Sequence, residues 1–224
     1  MGRIARRNKR IKKLRYIPKL SRKEIEENHK ISGERISLYR KRGLDTLESR
    51  RLILEKAYPL KGNILEVGTG TGHTTVVLAK AGDKIISIDI DAEQLKIAAL
   101  NLAYENALSS VTFYVMDGSL LRFANGSFQN VICIDLFHHI RNIDKMLSEI
   151  DRVLCEGGKA ALADFNKSGM EMVNTVHREE GRVHEDSGVS EEYARSYFRG
   201  LGYKIESYGD RYHWALIAEK RIGR

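Results

Sequence analysis

The sequence predicts an α/β protein with a mostly parallel, seven-stranded sheet and helices on both faces. Three observations lead to this prediction. From Asn63 onward, short β-branched runs alternate with helical stretches, which is the pattern of a parallel sheet. A glycine-rich loop separates the first of these runs from the first helix. Two further runs, joined by Gly209 and Asp210, end the chain and predict a C-terminal antiparallel hairpin.

The chain has 224 residues, which suffices for one α/β domain with a proper core. We predict a flexible basic tail at 1–20, a helical N-terminal extension or cap at 21–58, and the main domain at 59–224. Ser21 is the predicted cap of the helical segment, with Glu24 as its capping-box partner, and Pro59 ends that segment.

The remaining elements follow from periodicity. The predicted strands are 63–67, 84–89, 111–115, 130–135, 158–164, 203–208 and 212–219. The predicted helices lie near 72–81, 92–106 and 142–154, and a last helix begins at Ser190 and closes at Gly200. Residues 166–190 are charged and lack a clear period, so we expect a functional loop or lid there.

Composition restricts the class of protein. Hydrophobic residues make up 42% and charged residues 30%, as in soluble globular proteins. The net charge of +8 lies in residues 1–15, which hold basic residues and no acidic one. No apolar window is long enough to cross a membrane, and two cysteines, Cys133 and Cys155, favour a reducing, cytoplasmic location.

The loop between the first strand and the first helix reads Glu66-Val67-Gly68-Thr69-Gly70-Thr71-Gly72. Glycines let the backbone turn tightly and let a ligand approach the main chain. Asp89 ends the second strand, 21 residues after Gly68. A carboxylate at that place can accept hydrogen bonds from ribose hydroxyls.

Five segments resemble motifs of the class I, Rossmann-like S-adenosylmethionine-dependent methyltransferases, in order and spacing, over about residues 60–220. They are Ile64–Gly72, Ile88–Asp91, Met116–Gly118, Asp135–Ile140 and Leu154–Gly158. Cys155 and Glu156 depart from the family pattern in the last of these. The terminal hairpin is also typical of that family's sheet.

This resemblance implies that S-adenosylmethionine is the cofactor and S-adenosylhomocysteine the product. The glycines would approach its methionine and ribose portion, Asp89 would bind the ribose, Asp117 would accept from the adenine amino group, and Asp135 would lie near the amino and sulfonium groups. The predicted cofactor-binding residues are Glu66, Gly68, Thr69, Gly70, Gly72, Asp89, Ile90, Asp117, Gly118 and Asp135.

Methyl transfer needs a general base only when the acceptor arrives protonated. His138 and His139, just beyond the fourth strand, are the candidate catalytic residues, although a structural role for one of them is an alternative. The candidate substrate residues are Tyr39, Phe165, Asn166, His177 and His184. No ligand spacing supports a metal site, so we predict none.

We favour a small-molecule acceptor. The alternatives are an RNA methyltransferase that docks through residues 3–15 and a non-catalytic, cofactor-binding scaffold. Pro18 and Pro59 are the only prolines, which excludes the proline-containing motifs of amine-directed and cytosine C5 nucleobase methylases. The sequence makes no prediction of oligomeric state.

Overall fold

The computed structural model describes residues 15–16, 18–179, 181 and 190–223. The predicted tail through residue 14 and the candidate substrate residue His184 lie outside this part of the chain. The helices are α1 Arg22–Arg40, α2 Thr46–Ala57, α3 His73–Lys80, α4 Ala92–Tyr104, α5 Ile143–Val153, α6 Lys167–Glu179 and α7 Glu191–Gly200. The strands are β1 Arg15–Tyr16, β2 Ile64–Val67, β3 Ile85–Asp89, β4 Val111–Val115, β5 Phe128–Ile134, β6 Leu154–Phe165, β7 Lys204–Gly209 and β8 His213–Glu219.

These strands form one mixed sheet in the order β1-β4-β3-β2-β5-β6-β8-β7. Strands β2 to β6 pair in parallel, and β8 pairs antiparallel with both β6 and β7. The predicted fold class and the C-terminal hairpin are therefore confirmed. The order reverses direction at β2, so the ends of β2 and β5 diverge and leave a crevice where ligands bind in open α/β sheets.

The predicted count of seven strands is wrong, because the described residues form eight. The additional strand is β1, in which Arg15 and Tyr16 pair antiparallel with Tyr114 and Phe113 at the edge of the sheet. Two residues are too few to show a strand period, and only the exposed edge of β4 makes this pairing available.

Helices cover both faces of the sheet. One face packs on α5 and α7 through residues such as Leu147, Ile150 and Phe198. The other face packs on α2, α3 and α4, with Ile53, Leu78 and Leu95 among the buried side chains. Among the described residues, no helix is both long enough and apolar enough to span a membrane.

The segment 21–58, predicted to be helical, forms the two helices α1 and α2. The predicted capping box is present at the start of α1, where the Ser21 hydroxyl accepts from the Glu24 amide. Gly43 lies in the turn after α1 with φ of +90°, and Asp45 then caps α2 by accepting from the amides of Leu47 and Glu48. This turn lets α1 lie across α4, while α2 packs on the sheet.

The predicted loop at 166–190 is also partly wrong, because residues 167–179 form α6. Met170, Val173 and Val176 recur at intervals of three and are buried. Asn166 begins this helix, with its side-chain oxygen accepting from the Gly169 amide at 3.0 Å. Val173 and Val176 pack with Tyr39, Leu44 and Tyr212 in a small core that joins α6 to the end of α1. The polar residues between these positions hid the helical period.

Candidate active site

A cavity of about 480 Å³ opens at the carboxyl ends of β2, β3, β5 and β6. This volume is within the range of small-molecule sites in proteins. Its wall takes residues from the glycine loop, the ends of these strands and the helices α1, α2, α3, α4 and α6. The lining residues include Arg35, Tyr39, Thr46, Arg50, Gly68, Thr69, Gly70, His73, Asp89, Ile90, Asp135, Leu136, His138, His139, Phe165, Val173 and His177.

The glycine loop forms one end of this cavity. A Cβ on Gly68 would lie 2.7 Å from a methyl carbon of Leu136, and its φ of +83° is a left-handed conformation, so only glycine fits. At Gly70 a Cβ would meet no atom within 4 Å, which leaves the loop open to a ligand there. The backbone therefore turns sharply and presents an accessible surface.

Asp89 lies beside this loop at the end of β3. One carboxylate oxygen accepts from the Gly70 amide at 2.8 Å, and the other accepts from the Asp91 amide at 3.0 Å. Each carboxylate oxygen can accept a further hydrogen bond, so a ribose diol could bind here. Ile90 follows with 71% of its surface exposed and supplies an apolar wall next to the carboxylate.

Four predicted cofactor residues are not on the cavity wall. Glu66 is buried beneath the loop, where it accepts from the hydroxyls of Thr75 at 2.6 Å and Ser87 at 2.5 Å. Burial raises the pKa of Glu66 to about 7. Gly72 packs against Ala98, at the start of α3. Asp117 is exposed after β4 and accepts from the Ser119 amide, and Gly118 lies against Val67.

A buried charge cluster closes the floor between β5 and β8. The Arg50 guanidinium of α2 forms an ion pair with Asp135, and it also donates to the Thr46 carbonyl at 2.7 Å. The His213 imidazole lies 3.3 Å from the other Asp135 oxygen. Burial alone would raise the pKa of Asp135, but the charges of Arg50 and His213 hold it below its usual range. Asp135 has φ of +56°, a left-handed conformation that is strained for residues other than glycine.

The two adjacent histidines have different environments. His138 is buried, and its Nδ1 lies 2.6 Å from the buried carboxylate of Asp164 at the end of β6. That carboxylate also accepts from the His138 and Phe165 amides. An ionised carboxylate only accepts, so this contact favours the tautomer of a neutral ring in which Nδ1 carries the proton and Nε2 the lone pair. His139 is exposed, with its ring centroid 4.1 Å from that of His138.

Helices α1 and α6 form the roof. Arg35 and Tyr39 project from α1, and Val173 and His177 project from α6. The Arg35 guanidinium and the Tyr39 hydroxyl each lie 3.5 Å from Nε2 of His177. The two helices are joined further along by the Arg42–Glu179 ion pair.

Of the predicted substrate residues, Tyr39, Phe165 and His177 line the cavity. Asn166 does not, because its side chain caps α6 and donates to the Asp210 carbonyl at 3.2 Å. Sequence reasoning missed Arg35, Arg50 and His73 on the wall. The role of Asp164 could have been predicted, because Asp164 lies at the end of β6. Strand β6 is the neighbour of β5, the strand that precedes His138.

Within the described ranges, no group of three or more histidine, cysteine, aspartate or glutamate residues is arranged to hold a metal ion.

Comparison with known proteins identifies the domain. Residues 65–162 match the family model described as a methyltransferase domain. An uncharacterized methyltransferase, YcgJ, of Bacillus subtilis (strain 168) is 29% identical over 101 residues, which are 45% of this chain and 40% of that protein. The ubiquinone/menaquinone biosynthesis C-methyltransferase UbiE of Wigglesworthia glossinidia brevipalpis is 29% identical over 117 residues, 51% of this chain and 47% of that protein. The matches therefore span less than half the length of these two relatives.

A solved structure has the same fold. Phosphoethanolamine N-methyltransferase 2 of Haemonchus contortus, in complex with phosphomonomethylethanolamine and S-adenosylhomocysteine, superposes with a TM-score of 0.61. The superposition covers 80% of this chain and 54% of that chain at 18% identity. Residues 65–162 thus match a methyltransferase domain, and the chain shares the Rossmann-like fold of this Haemonchus contortus methyltransferase.

Proposed function

We propose that this protein transfers a methyl group from S-adenosylmethionine to a small-molecule acceptor. The observation that carries the proposal is the single cavity that joins the glycine loop and Asp89 at one end to His138 at the other. The match to a methyltransferase domain supports it, as does the structure of the Haemonchus contortus enzyme, which is in complex with phosphomonomethylethanolamine and S-adenosylhomocysteine.

The residues at the loop end fit the cofactor. Asp89 is held in place by two backbone amides and is suited to a ribose, and the exposed Ile90 beside it is suited to an adenine face. The open space at Gly70 accommodates the methionine portion. The Thr46 hydroxyl is buried on the wall and has no hydrogen-bond partner among the described residues, so it has a donor and acceptor to offer.

The roles of the other predicted cofactor residues remain predictions, and the support for each depends on whether the residue lines the cavity. Gly68, Thr69 and Asp135 line the cavity with Asp89 and Ile90. Glu66 and Gly72 would act through the shape of the loop, because they support it from below. Asp117 and Gly118 would contribute only where an adenine extends past Ile90 toward the end of β4.

S-adenosylmethionine, when bound, supplies a methyl group activated by its sulfonium. The chain aligns the acceptor with that group and excludes water from the path of transfer. Asp135 is already paired with Arg50, so its carboxylate can lie near a sulfonium without acting as a competing nucleophile. The buried ring of His138 and the half-buried ring of Phe165 limit water at the acceptor end.

His138 is the general base in this proposal. Its Nε2 lone pair takes the proton of the acceptor as the methyl-accepting atom attacks, and the Asp164 carboxylate stabilises the imidazolium that forms. Asp164 acts as a positioning residue, because it also fixes the ring orientation and the tautomer. His139, which is exposed, would contact the acceptor without such support. We place the reaction in the cytoplasm, on the basis of the two free cysteines.

Calorimetric titration tests the cofactor assignment. We expect S-adenosylhomocysteine to bind at one site, and Asp89→Ala to weaken that binding by about 1–3 kcal/mol, because a charged hydrogen-bond acceptor is lost. The matched control is Glu93→Ala, which removes an exposed carboxylate nearby on α4 and should leave affinity unchanged. Unchanged affinity in Asp89→Ala, with the fold intact by thermal melting, would contradict the ribose assignment.

A further inference from the structure

Two helices present paired side chains to the acceptor end of the cavity. Arg35 and Tyr39 are one turn apart on α1, and Val173 and His177 are one turn apart on α6. Residues four apart in a helix lie on the same face. Each helix therefore contributes two adjacent side chains to the same region of the cavity wall. The two side chains of α1 contact His177 of α6.

The polar groups converge on a single point. The Arg35 guanidinium and the Tyr39 hydroxyl both lie 3.5 Å from Nε2 of His177. An arginine keeps its charge at all physiological pH values and presents a planar set of donors that matches a carboxylate or phosphate. Val173 and Phe165 flank this cluster with apolar surface. The region thus combines a fixed positive charge with an apolar wall.

The two guanidiniums on the described cavity wall have different partners. Arg50 pairs with Asp135 on the floor. The pKa of His73, at the first position of α3 beside the glycine loop, falls to about 3 because of burial and then the charges of Arg50 and Arg35, with Arg50 the larger. The charges of both guanidiniums therefore reach the loop end, and Arg35 in addition contacts His177 of α6.

The wall is consequently polarised. Asp89 lies at the ribose end, and the charge of Asp135 is compensated by Arg50. The positive charge at the acceptor end comes from Arg35. A neutral or cationic acceptor would gain nothing from that charge, whereas an oxyanion would form charge-assisted hydrogen bonds with it.

We propose that the acceptor carries an ionised acid group, a carboxylate or phosphate, which Arg35 binds together with Tyr39 and His177, while the methyl-accepting atom lies beside His138. This assignment rests on the proposed function and names the class of its substrate: a small molecule with an acid group at one end, an apolar body, and a protonated nucleophile at the other end. Methylation leaves the acid group unchanged, so that group serves recognition alone.

Binding of two probes of equal shape tests the oxyanion site. Benzoate and benzamide are titrated by calorimetry into the full-length protein saturated with S-adenosylhomocysteine. Wild-type protein should bind benzoate at least about tenfold more tightly than benzamide, and Arg35→Met should abolish that preference, because the charge-assisted hydrogen bonds are lost. Lys30→Met, which removes an exposed charge from the same helix, should retain the preference. Arg35→Lys keeps the charge and should retain part of it.

Three outcomes would overturn the proposal. The first is equal affinity of wild-type protein for the two probes, and the second is an unchanged preference in a folded Arg35→Met variant. The third is a loss of affinity for S-adenosylhomocysteine in Arg35→Met without a loss for 5′-methylthioadenosine, which lacks the carboxylate, because Arg35 would then bind the cofactor. Failure of wild-type protein to bind S-adenosylhomocysteine would overturn the proposed function, whereas failure confined to benzoate overturns the oxyanion site alone.

Discussion

Asp135 shows how individual residues determine the electrostatics of the site. Its carboxylate is buried, lies next to the ends of β5 and β8, and takes its compensating charges from Arg50 and His213. Removing one partner of a buried ion pair leaves an uncompensated charge, which costs far more than the pair contributes over apolar neighbours. The cluster therefore ties α2 to the sheet and makes the floor of the cavity sensitive to substitution.

Replacing Arg50 should test this cost. We expect Arg50→Met to lower the free energy of unfolding by about 3 kcal/mol, because Asp135 loses its buried counter-charge. Arg51→Met is a matched control on the same helix, since Arg51 is half exposed and pairs with Glu48 and Glu55 at the surface. Urea unfolding measures both variants. Similar stabilities for the two would show that the buried pair has no special role.

His213 should make stability depend on pH. Burial alone would lower its pKa, but the neighbouring charge of Asp135 and the ring's interactions with the carboxylates of Asp135 and Asp210 raise it from 6.5 to about 9. A group whose pKa is higher in the folded state stabilises the fold fully below its unfolded pKa, and this contribution is lost as pH rises through the folded value. The free energy of unfolding should therefore fall by about 2 kcal/mol between pH 6.5 and pH 9.

Urea melts at a series of pH values measure this decline, and His213→Gln should flatten it. Glu66 titrates in a lower window, because its pKa is raised only to about 7, so its effect is separable. A decline of equal size above pH 7 in His213→Gln would assign it to another group.

At the scale of elements, the glycine loop positions the site through close packing of two helices. Gly72 begins α3 with φ of +83°, and a Cβ there would lie 2.7 Å from the Cβ of Ala98 on α4 and 2.9 Å from its Cα. Asn101, one turn further along α4, donates to the Thr71 carbonyl of the loop at 2.8 Å and accepts from Asn28 of α1 at 2.7 Å. The loop, α4 and α1 thus form a continuous contact, which orients α1 over the cavity.

Comparing Gly72→Ala with Gly82→Ala should distinguish the cost of a steric clash with α4 from the cost of a side chain at positive φ. We expect a loss of about 2 kcal/mol in unfolding free energy together with weaker cofactor binding, because α3 and the loop must move away from α4. Gly82→Ala is the control, since Gly82 also has a positive φ, +93°, but its Cβ would meet no atom within 4 Å. That variant should lose only about 1 kcal/mol, with cofactor affinity unchanged. Equal effects in thermal melts and calorimetry would refute the packing argument.

At the scale of the whole molecule, the net charge is concentrated at one end of the sequence. The net charge of +8 lies in residues 1–15, of which the structure describes Arg15, paired with Tyr114 at the edge of the sheet. The proposed small-molecule reaction needs the cavity alone. RNA docking, by contrast, would need the basic segment and would weaken with salt.

Deleting residues 1–14 should therefore leave unfolding free energy and affinity for S-adenosylhomocysteine unchanged. Methyl-labelled S-adenosylmethionine, incubated with separated cell fractions, should label the small-molecule fraction equally well with the full-length and the shortened protein. Label that enters RNA with the full-length protein and disappears after the deletion would replace the proposed function with the RNA alternative.

Much of the architecture could be predicted because it depends on local pattern. Alternating β-branched runs and helical stretches identified the parallel strands, since each strand and helix must bury one regular face. The capping box at Ser21 and the turn at Gly209 were likewise readable from adjacent residues. Strand β1 and helix α6 were missed. The first has too few residues to show a period. In the second, polar residues interrupt the apolar ones, Val173 among them.

The sequence by itself determined the fold class, the glycine loop with Asp89, and the family resemblance, because each depends on residues close together in the chain. Only the tertiary structure decided which side chains meet across the cavity. Arg50 and Asp135 are 85 positions apart, and Arg35 and His177 are 142 positions apart. No local pattern encodes such pairs, because they arise where the turn after α1 and the crossing of α1 over α4 bring two helices to the ends of the strands. The charge and shape of the acceptor end are therefore properties of the folded chain.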